Sequence, residues 1–509
     1  MTGIQIVRIF ALPPMFSVTY LGHQGWLVSS EASRVLIDPL LTEEYSPGFE
    51  ATIYPPRKLT PSKFPPIDAI ILSHEHSDHV NLPSLRLLDR RIPVVFPERS
   101  SLAIRTVITQ LGFHVVPATV GDRFSIGDLT IQLLGGEHRD DDLEEEWANL
   151  QILITDRAGD GSFFTYVDGW PTDATLALIQ QTVGRIGVFC HVNNTMDWSC
   201  LEGGKAEVPP LSTIDYAARI IAAEASWWQH RESPELTVIC GPGLVFLGGD
   251  AWMNQILRAD SERVCVALRA LAPERAFRAP LPGETIAFKR CSLQRIAPRT
   301  PFLSTLERAR WPTRVRRKPL TVIEDFKPAC GRYALEEQEW SRLFQEIDKL
   351  ASFLYGRSLF RTLHALDNHD LDKRKPVFAL VLRCDDQDRA HVCEYEPNAS
   401  RFRVVSSAAP IKTYVAGLEC WATDLLKVMD GQLLPQRLLG HLRTWSFSPK
   451  PLSPLQSVWR FFDSLHRPDA ALSFYGEQPG LKSDPVIKPG RNSSRLKRLR
   501  TSAAADEPR

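Results

Sequence analysis

Short apolar runs broken by polar turns fill the first half of the chain. Residues 16–21, 25–28 and 33–37 read as strands, the last ending at Asp38-Pro39. The first two lie close enough to form an antiparallel ribbon. Residues 67–73 (Ile67-Asp68-Ala69-Ile70-Ile71-Leu72-Ser73) are almost wholly apolar, as expected of a strand buried on both faces. The pattern then predicts a helix over 83–88, a strand over 92–96, a helix over 100–111 and a strand over 128–134. Further strands are expected at 162–167, ending at Asp168, at 186–190, ending at His191, and at 236–240. A helix over 212–225 is opened by the cap Ser212-Thr213-Ile214-Asp215. Strands alternating with helices imply mixed sheets covered by helices, an α+β architecture.

The pattern changes near residue 291. Residues 291–319 gather Arg308, Arg310, Arg314, Arg316, Arg317 and Lys318 with four prolines, and read as a linker or covering arm. A second, smaller α+β domain is expected over 320–475. It begins with a helix at 336–355, continues with a hairpin of 377–382 and 390–395, and has a helix over 417–428. Its role is open, with covering or oligomerisation as the plain readings. Residues 476–509, rich in Pro, Gly, Ser, Lys and Arg, are expected to be a disordered basic tail, and 1–14 an N-terminal extension.

Composition narrows the function classes. With 509 residues, 43% of them hydrophobic, the chain has material for two or three domains. Lys+Arg and Asp+Glu are both 60, so charge gives no reason to expect nucleic acid as a partner. The nine cysteines form no CxxC pair and read as reduced thiols. No run of 18 apolar residues suggests a membrane span, and residues 4–12 lack a basic leader. A cytoplasmic protein acting on a small molecule is expected, with a homo-oligomer left open.

The chemistry is concentrated in Ser73-His74-Glu75-His76-Ser77-Asp78-His79, directly after the buried strand. Imidazole and carboxylate are the donors of zinc and iron sites, and four of them in one tight loop suffice for two adjacent ions. The chain has 13 histidines, so three within six positions are not an incidental surface loop. His138 follows the strand at 128–134 and Gly135-Gly136, and Asp168 ends the strand at 162–167. Both stand at strand-to-loop junctions, where such folds present ligands. His364, Asp367, His369 and Asp370 also cluster, but with no second cluster beside them they read as a solvated loop.

These residues resemble the metallo-β-lactamase superfamily. Its HxHxDH signature is matched by His74, His76, Asp78 and His79, and its early acidic residue by Asp38. The resemblance covers about residues 15–270, within a metal-binding domain expected over 15–290, and implies a four-layer αβ/βα sandwich. It further implies a first metal held by His74, His76 and His138, a second held by Asp78 and His79, and Asp168 bridging them. Tyr20-Leu21-Gly22-His23 is similar to the start of one branch, that of the ascorbate-6-phosphate lactonase, N-acyl-phosphatidylethanolamine phospholipase D and CMP-sialic acid hydroxylase. His138-Arg139-Asp140-Asp141 resembles the hydroxylase in particular. The family's last ligand is a histidine after the strand at 236–240, where this chain has Gly241-Pro242-Gly243. That departure bears on the second metal and on the usual hydrolysis. The resemblance implies one or two divalent ions, zinc first, with iron or manganese also suited to the donors. It implies a hydrolase in which Asp78 orients a water or passes its proton. His191, Arg139 and His23 are the candidate substrate contacts. A non-haem iron oxygenase, drawing on an external redox partner because no Rieske motif is present, is the alternative. A non-catalytic metal-binding scaffold is the other.

Overall fold

The computed structural model describes residues 16–43, 45, 50–137, 149–193, 202–203, 212–257, 260–312, 327–355, 363, 374–385, 390–405, 413–447, 458, 460–462, 467–476 and 485–499. Two sheets face each other, each with eight strands among the described residues. The first runs Ser292–Ala297, Thr285–Lys289, Phe16–Gly22, Gly25–Ser29, Arg34–Ile37, Ala69–Ile71, Val94–Pro97, Val115–Ala118. The second runs Phe277–Arg278, Leu236–Cys240, Val188–Val192, Ser162–Thr165, Gln151–Asp156, Leu129–Leu134, Arg123–Ile126, Lys497–Leu499.

Alternation along each strand explains the layering. Val35, Ile37, Ala69 and Ile71 point into a core shared with Phe163, Val188 and Val238 of the other sheet. Their neighbours Leu36, Ile70 and Leu72 point outward, onto helices Leu82–Arg86 and Leu102–Gln110 through Leu85, Ile104 and Val107. On the far side, Ile239 and Phe277 meet Ala217 and Ile220 of helix Thr213–Trp228 and Val264 and Leu268 of helix Ser261–Leu271. The order is helix, sheet, sheet, helix. Ser212 caps its helix as expected, its side chain accepting from Asp215 N.

The smaller unit has a mixed sheet ordered Glu202–Gly203, Leu442–Ser446, Tyr414–Trp421, Lys375–Arg383, Ala390–Glu396, Arg401–Val405. Helix Glu337–Leu354 buries Leu343, Ile347 and Leu350 against Phe378 and Leu380 of that sheet. The same apolar cluster includes Leu40 and Tyr45, and Ile53, Leu244 and Phe246 of the paired strands Ala51–Ile53 and Leu244–Phe246, so the second unit packs against these segments.

Three expectations need correction. Residues 417–428 are not one helix: Tyr414–Trp421 is a fully buried strand and only Ala422–Met429 is helical. A run buried on both faces carries no period that separates strand from helix. The expected linker contributes strand Ser292–Ala297, paired to Thr285–Lys289, and strand Leu303–Thr305, paired to Arg57–Leu59. The tail expected to be disordered packs over residues 485–499: Ile487 is buried, Asn492 N donates to Asp68 Oδ1 at 2.8 Å, and Lys497–Leu499 pairs with residues 123–125. A few apolar and amide contacts outweigh its basic composition. Among the described residues, no helix is long and apolar enough to cross a membrane, and no cysteine is in a disulfide.

Candidate metal centre

The loop after strand Ala69–Ile71 delivers the donors because its backbone is pinned at both ends. Ser73 N donates to Asp38 Oδ1 at 2.8 Å, and His79 N and Val80 N donate to His76 O at 2.9 and 2.7 Å, closing a helical turn. Glu75 turns away from the donors and accepts from Ser101 N, at the start of helix Leu102–Gln110. Asn81 caps the next helix by accepting from Ser84 N at 2.9 Å, and its amide donates to Tyr45 O at 3.2 Å.

Hydrogen bonds on the far side of each imidazole fix which nitrogen faces inward. His79 Nδ1 lies 2.8 Å from Asp38 Oδ2 and donates to that carboxylate. Ser73 Oγ donates to the same oxygen at 2.6 Å, and so accepts from His74 Nδ1 at 2.9 Å. Both rings therefore present the Nε2 lone pair to the interior, the second-sphere arrangement of ligating histidines. Asp38 thus acts through His79 and His74, from behind them.

The inward atoms converge. His74 Nε2 and His79 Nε2 lie 3.4 and 3.5 Å from Asp168 Oδ2, and His79 Nε2 lies 3.6 Å from Asp78 Oδ2. The other oxygen of Asp168 is held by Gln24 Nε2 at 2.7 Å. A tetrahedral zinc with ligand bonds of about 2.1 Å separates its donors by about 3.4 Å, so the spacing suits an ion. Both Nε2 atoms are buried without a hydrogen bond of their own. Buried polar atoms are rarely left so unless something else binds them. Two donor groups result, His74 with His79 and Asp168, and His23 with Asp78 and His79. Within each, the donor atoms lie within 4.8 Å of one another. The residues fit a divalent cation.

The electrostatics agree. Burial disfavours a charge on His79, but the carboxylates of Asp78, Asp38 and Asp168 outweigh it and hold its pKa well above the ordinary value. Burial also opposes ionisation of Asp168, yet His79 and His74 keep it well below the carboxylate range. Asp78 is likewise held low against its burial by His79 and His23. The pocket draws positive charge to its centre. His76 is pushed down to about 3 by burial and then by His74, which outweigh the opposing charges of Asp78 and Asp168. It therefore stays neutral and needs to lose no proton to bind a cation, whereas at His79 a cation would displace the proton that the carboxylates favour. Its ring lies 4.6 Å from that of His74.

The expected residues divide three ways. His74, Asp78, His79 and Asp168 converge, with His76 beside them. His138 and Arg139 lie outside the described residues, as do residues 364–370. The two other expected substrate contacts, His23 and His191, lie among the described residues. His23 Nε2 lies 3.0 Å from Asp78 Oδ2, which places this histidine against the donor cluster. His191 is fully buried, ringed by Tyr166, Trp170 and Trp227 with ring centroids 5.6 to 6.1 Å away, and is pushed down to about 3 by burial and then by Arg275. Both of its ring nitrogens are buried without a hydrogen bond. Sequence reasoning missed Gln24 and Tyr45. Gln24 was adjacent to His23 in the Gly22–Gly25 turn and carried that hint; Tyr45 Oη, which donates to Asp78 Oδ2 at 2.9 Å, had no pattern to expose it. Backbone strain marks the same place: His23, Asp38 and Val167 all have positive φ, at 53°, 40° and 52°.

Residues 33–167 match the family model described as the beta-lactamase superfamily domain. An uncharacterized protein from Mycobacterium tuberculosis is 30% identical over 88 residues, 16% of this chain and 23% of its own length. The chain thus spans about a quarter of that curated relative. A metal-dependent hydrolase from Carboxydothermus hydrogenoformans is 27% identical over 127 residues, 24% of this chain and 47% of the relative. A solved metallo hydrolase from Ignicoccus hospitalis is similar over 54% of this chain and 99% of its own, at 17% identity and a TM-score of 0.36.

Proposed function

We propose, from the premise that residues 33–167 match the beta-lactamase superfamily domain within a metallo-β-lactamase fold, that this chain is a metal-dependent hydrolase of a small ester, lactone or phosphodiester. One observation carries the reading. The buried, unbonded Nε2 atoms of His74 and His79 meet Asp168 Oδ2 at ligand spacing, with their other ring nitrogens already hydrogen-bonded. His74, His76, His79, Asp78 and Asp168 would hold the metal, zinc being the first choice. When bound, a divalent ion lowers the pKa of a water to about 7 and polarises a carbonyl or phosphoryl oxygen.

The protein's own groups supply the rest. Asp168 is fixed by Gln24 on one oxygen, so its other oxygen cannot swing away. Asp78 Oδ2, bonded by Tyr45 and His23 and kept ionised by His79 and His23, is positioned to orient a water. Burial, then the charge of Asp78, pushes the Tyr45 phenol well above its ordinary pKa. It therefore keeps its proton and stays a hydrogen-bond donor to Asp78. Leu40 and Tyr45, packed in the cluster shared with the second unit, limit entry of bulk water. The name of the Carboxydothermus relative supports the same reaction class. Tyr20-Leu21-Gly22-His23 supports placement in the branch of lactonases, phospholipases and hydroxylases.

Ester, lactone and phosphodiester panels, run on metal-stripped and zinc-reloaded protein, test the proposal. Zinc-dependent turnover of one class, lost in Asp78→Asn, is expected. Turnover restored by iron and oxygen alone would replace hydrolysis with oxygenation.

A further inference from the structure

We propose that His23 is a positioning residue for Asp78, donating a hydrogen bond from Nε2, and is not one of the metal donors. The inference rests on the metal-dependent reading above. His23, Asp78 and His79 form one of the two donor groups, so distance alone would allow His23 to ligate. The bond on the other side of its ring decides otherwise. Gly243 N lies 3.3 Å from His23 Nδ1. A backbone amide only donates, so Nδ1 must present its lone pair there. The ring proton of the neutral imidazole is then on Nε2, where it points at Asp78 Oδ2, 3.0 Å away. A nitrogen carrying a proton has no lone pair for a cation. This is the opposite tautomer from His74 and His79, whose Nδ1 atoms face acceptors.

The ring is not free to exchange the two roles. Tyr20 Oη donates to His23 O at 2.9 Å, and Gly241 N donates to the same oxygen at 3.1 Å. A Cβ at Gly243 would lie 2.5 Å from His23 Cα, so only glycine allows this approach. Tyr45 Oη adds a second donor, at 2.9 Å, to the same Asp78 oxygen. Asp78 Oδ2 is thus clamped between a phenol and an imidazole, and its orientation towards His79 is set before any ion arrives.

The two roles differ in which substitution they tolerate. Glutamine offers an N–H donor and an oxygen acceptor, and can reproduce the bonds to Asp78 and Gly243; alanine offers neither. Wild type, His23→Gln and His23→Ala would be titrated with cobalt(II) by equilibrium dialysis and visible absorption, with thermal midpoints checking that each is folded. The proposal expects His23→Gln to match the wild-type cobalt count and affinity within about twofold. It expects His23→Ala to keep the count while its weakest-bound ion loosens about tenfold, the usual effect of losing an outer partner. Loss of a cobalt ion from His23→Gln would make His23 a ligand and overturn the proposal. Unchanged affinity in His23→Ala would overturn it as well. Failure of the wild type to take up cobalt would instead sink the metal reading itself, and this inference with it.

Discussion

His74, His79, Asp78 and Asp168 each make a hydrogen bond to a residue outside the proposed ligand set. Asp38 holds His79 directly and His74 through Ser73. Asp38→Asn should therefore weaken metal binding about 10–100-fold while every proposed ligand remains. Competition with a chromogenic chelator measures this, and wild-type affinity would show that Asp38 has no such role. Gly243 is a second point of leverage. Alanine there must displace the His23 backbone, so Gly243→Ala should lose about 1–3 kcal/mol in denaturant unfolding; an unchanged midpoint would mean the turn relaxes freely. At this scale the sequence was partly legible. His74, Asp78 and His79 stood out because donors within a strand-end loop have a spacing, and Asp168 because it ends a strand of its own. Gln24 and Tyr45 did not, because a hydrogen bond to a ligand from 144 or 33 positions away leaves no periodic trace. The surroundings of His191 were not legible either: a strand-end histidine looks the same in sequence whether it faces a cleft or, as here, three aromatic rings.

Among the elements, helix Thr213–Trp228 carries a charge that the sequence did not single out. Glu224 is completely buried against Arg275. Burial raises its pKa from 4.5 to about 7, with Arg275 opposing the rise. A carboxyl raised in the folded state stabilises it fully below the unfolded value, and that contribution is lost as pH climbs through the folded one. Glu224→Gln is neutral throughout. Relative to wild type it should gain stability between about pH 4.5 and pH 7, by up to roughly 3 kcal/mol. Urea unfolding of both proteins at several pH values measures the difference; a constant difference would mean Glu224 is ionised in the native state throughout. Legibility of elements followed amphipathicity. The capped, one-sided helix at Ser212 was read correctly, whereas Tyr414–Trp421, buried on every residue, offered no face to read.

For the whole molecule, the main surprise is how much chain beyond the sandwich helps to complete it. Residues 485–499 add an edge strand and bury Ile487 against the first sheet's outer layer. Removing residues 485–509 should lower unfolding stability by at least about 2 kcal/mol, the transfer cost of one buried isoleucine before any lost hydrogen bonds. An unchanged midpoint would make this packing energetically idle. Composition pointed towards disorder here, because it counts charges and prolines but cannot register a single well-placed apolar anchor. The second unit contributes in another way, enclosing Tyr45 in its apolar cluster beside the donors. The account as a whole stands on the cluster being a metal site. Elemental analysis of protein purified without added metal, beside Asp168→Ala, tests that most directly. At least one divalent ion per wild-type chain, lost in the variant, is the predicted result. A wild type without metal, or a variant that retains the full complement, would contradict it.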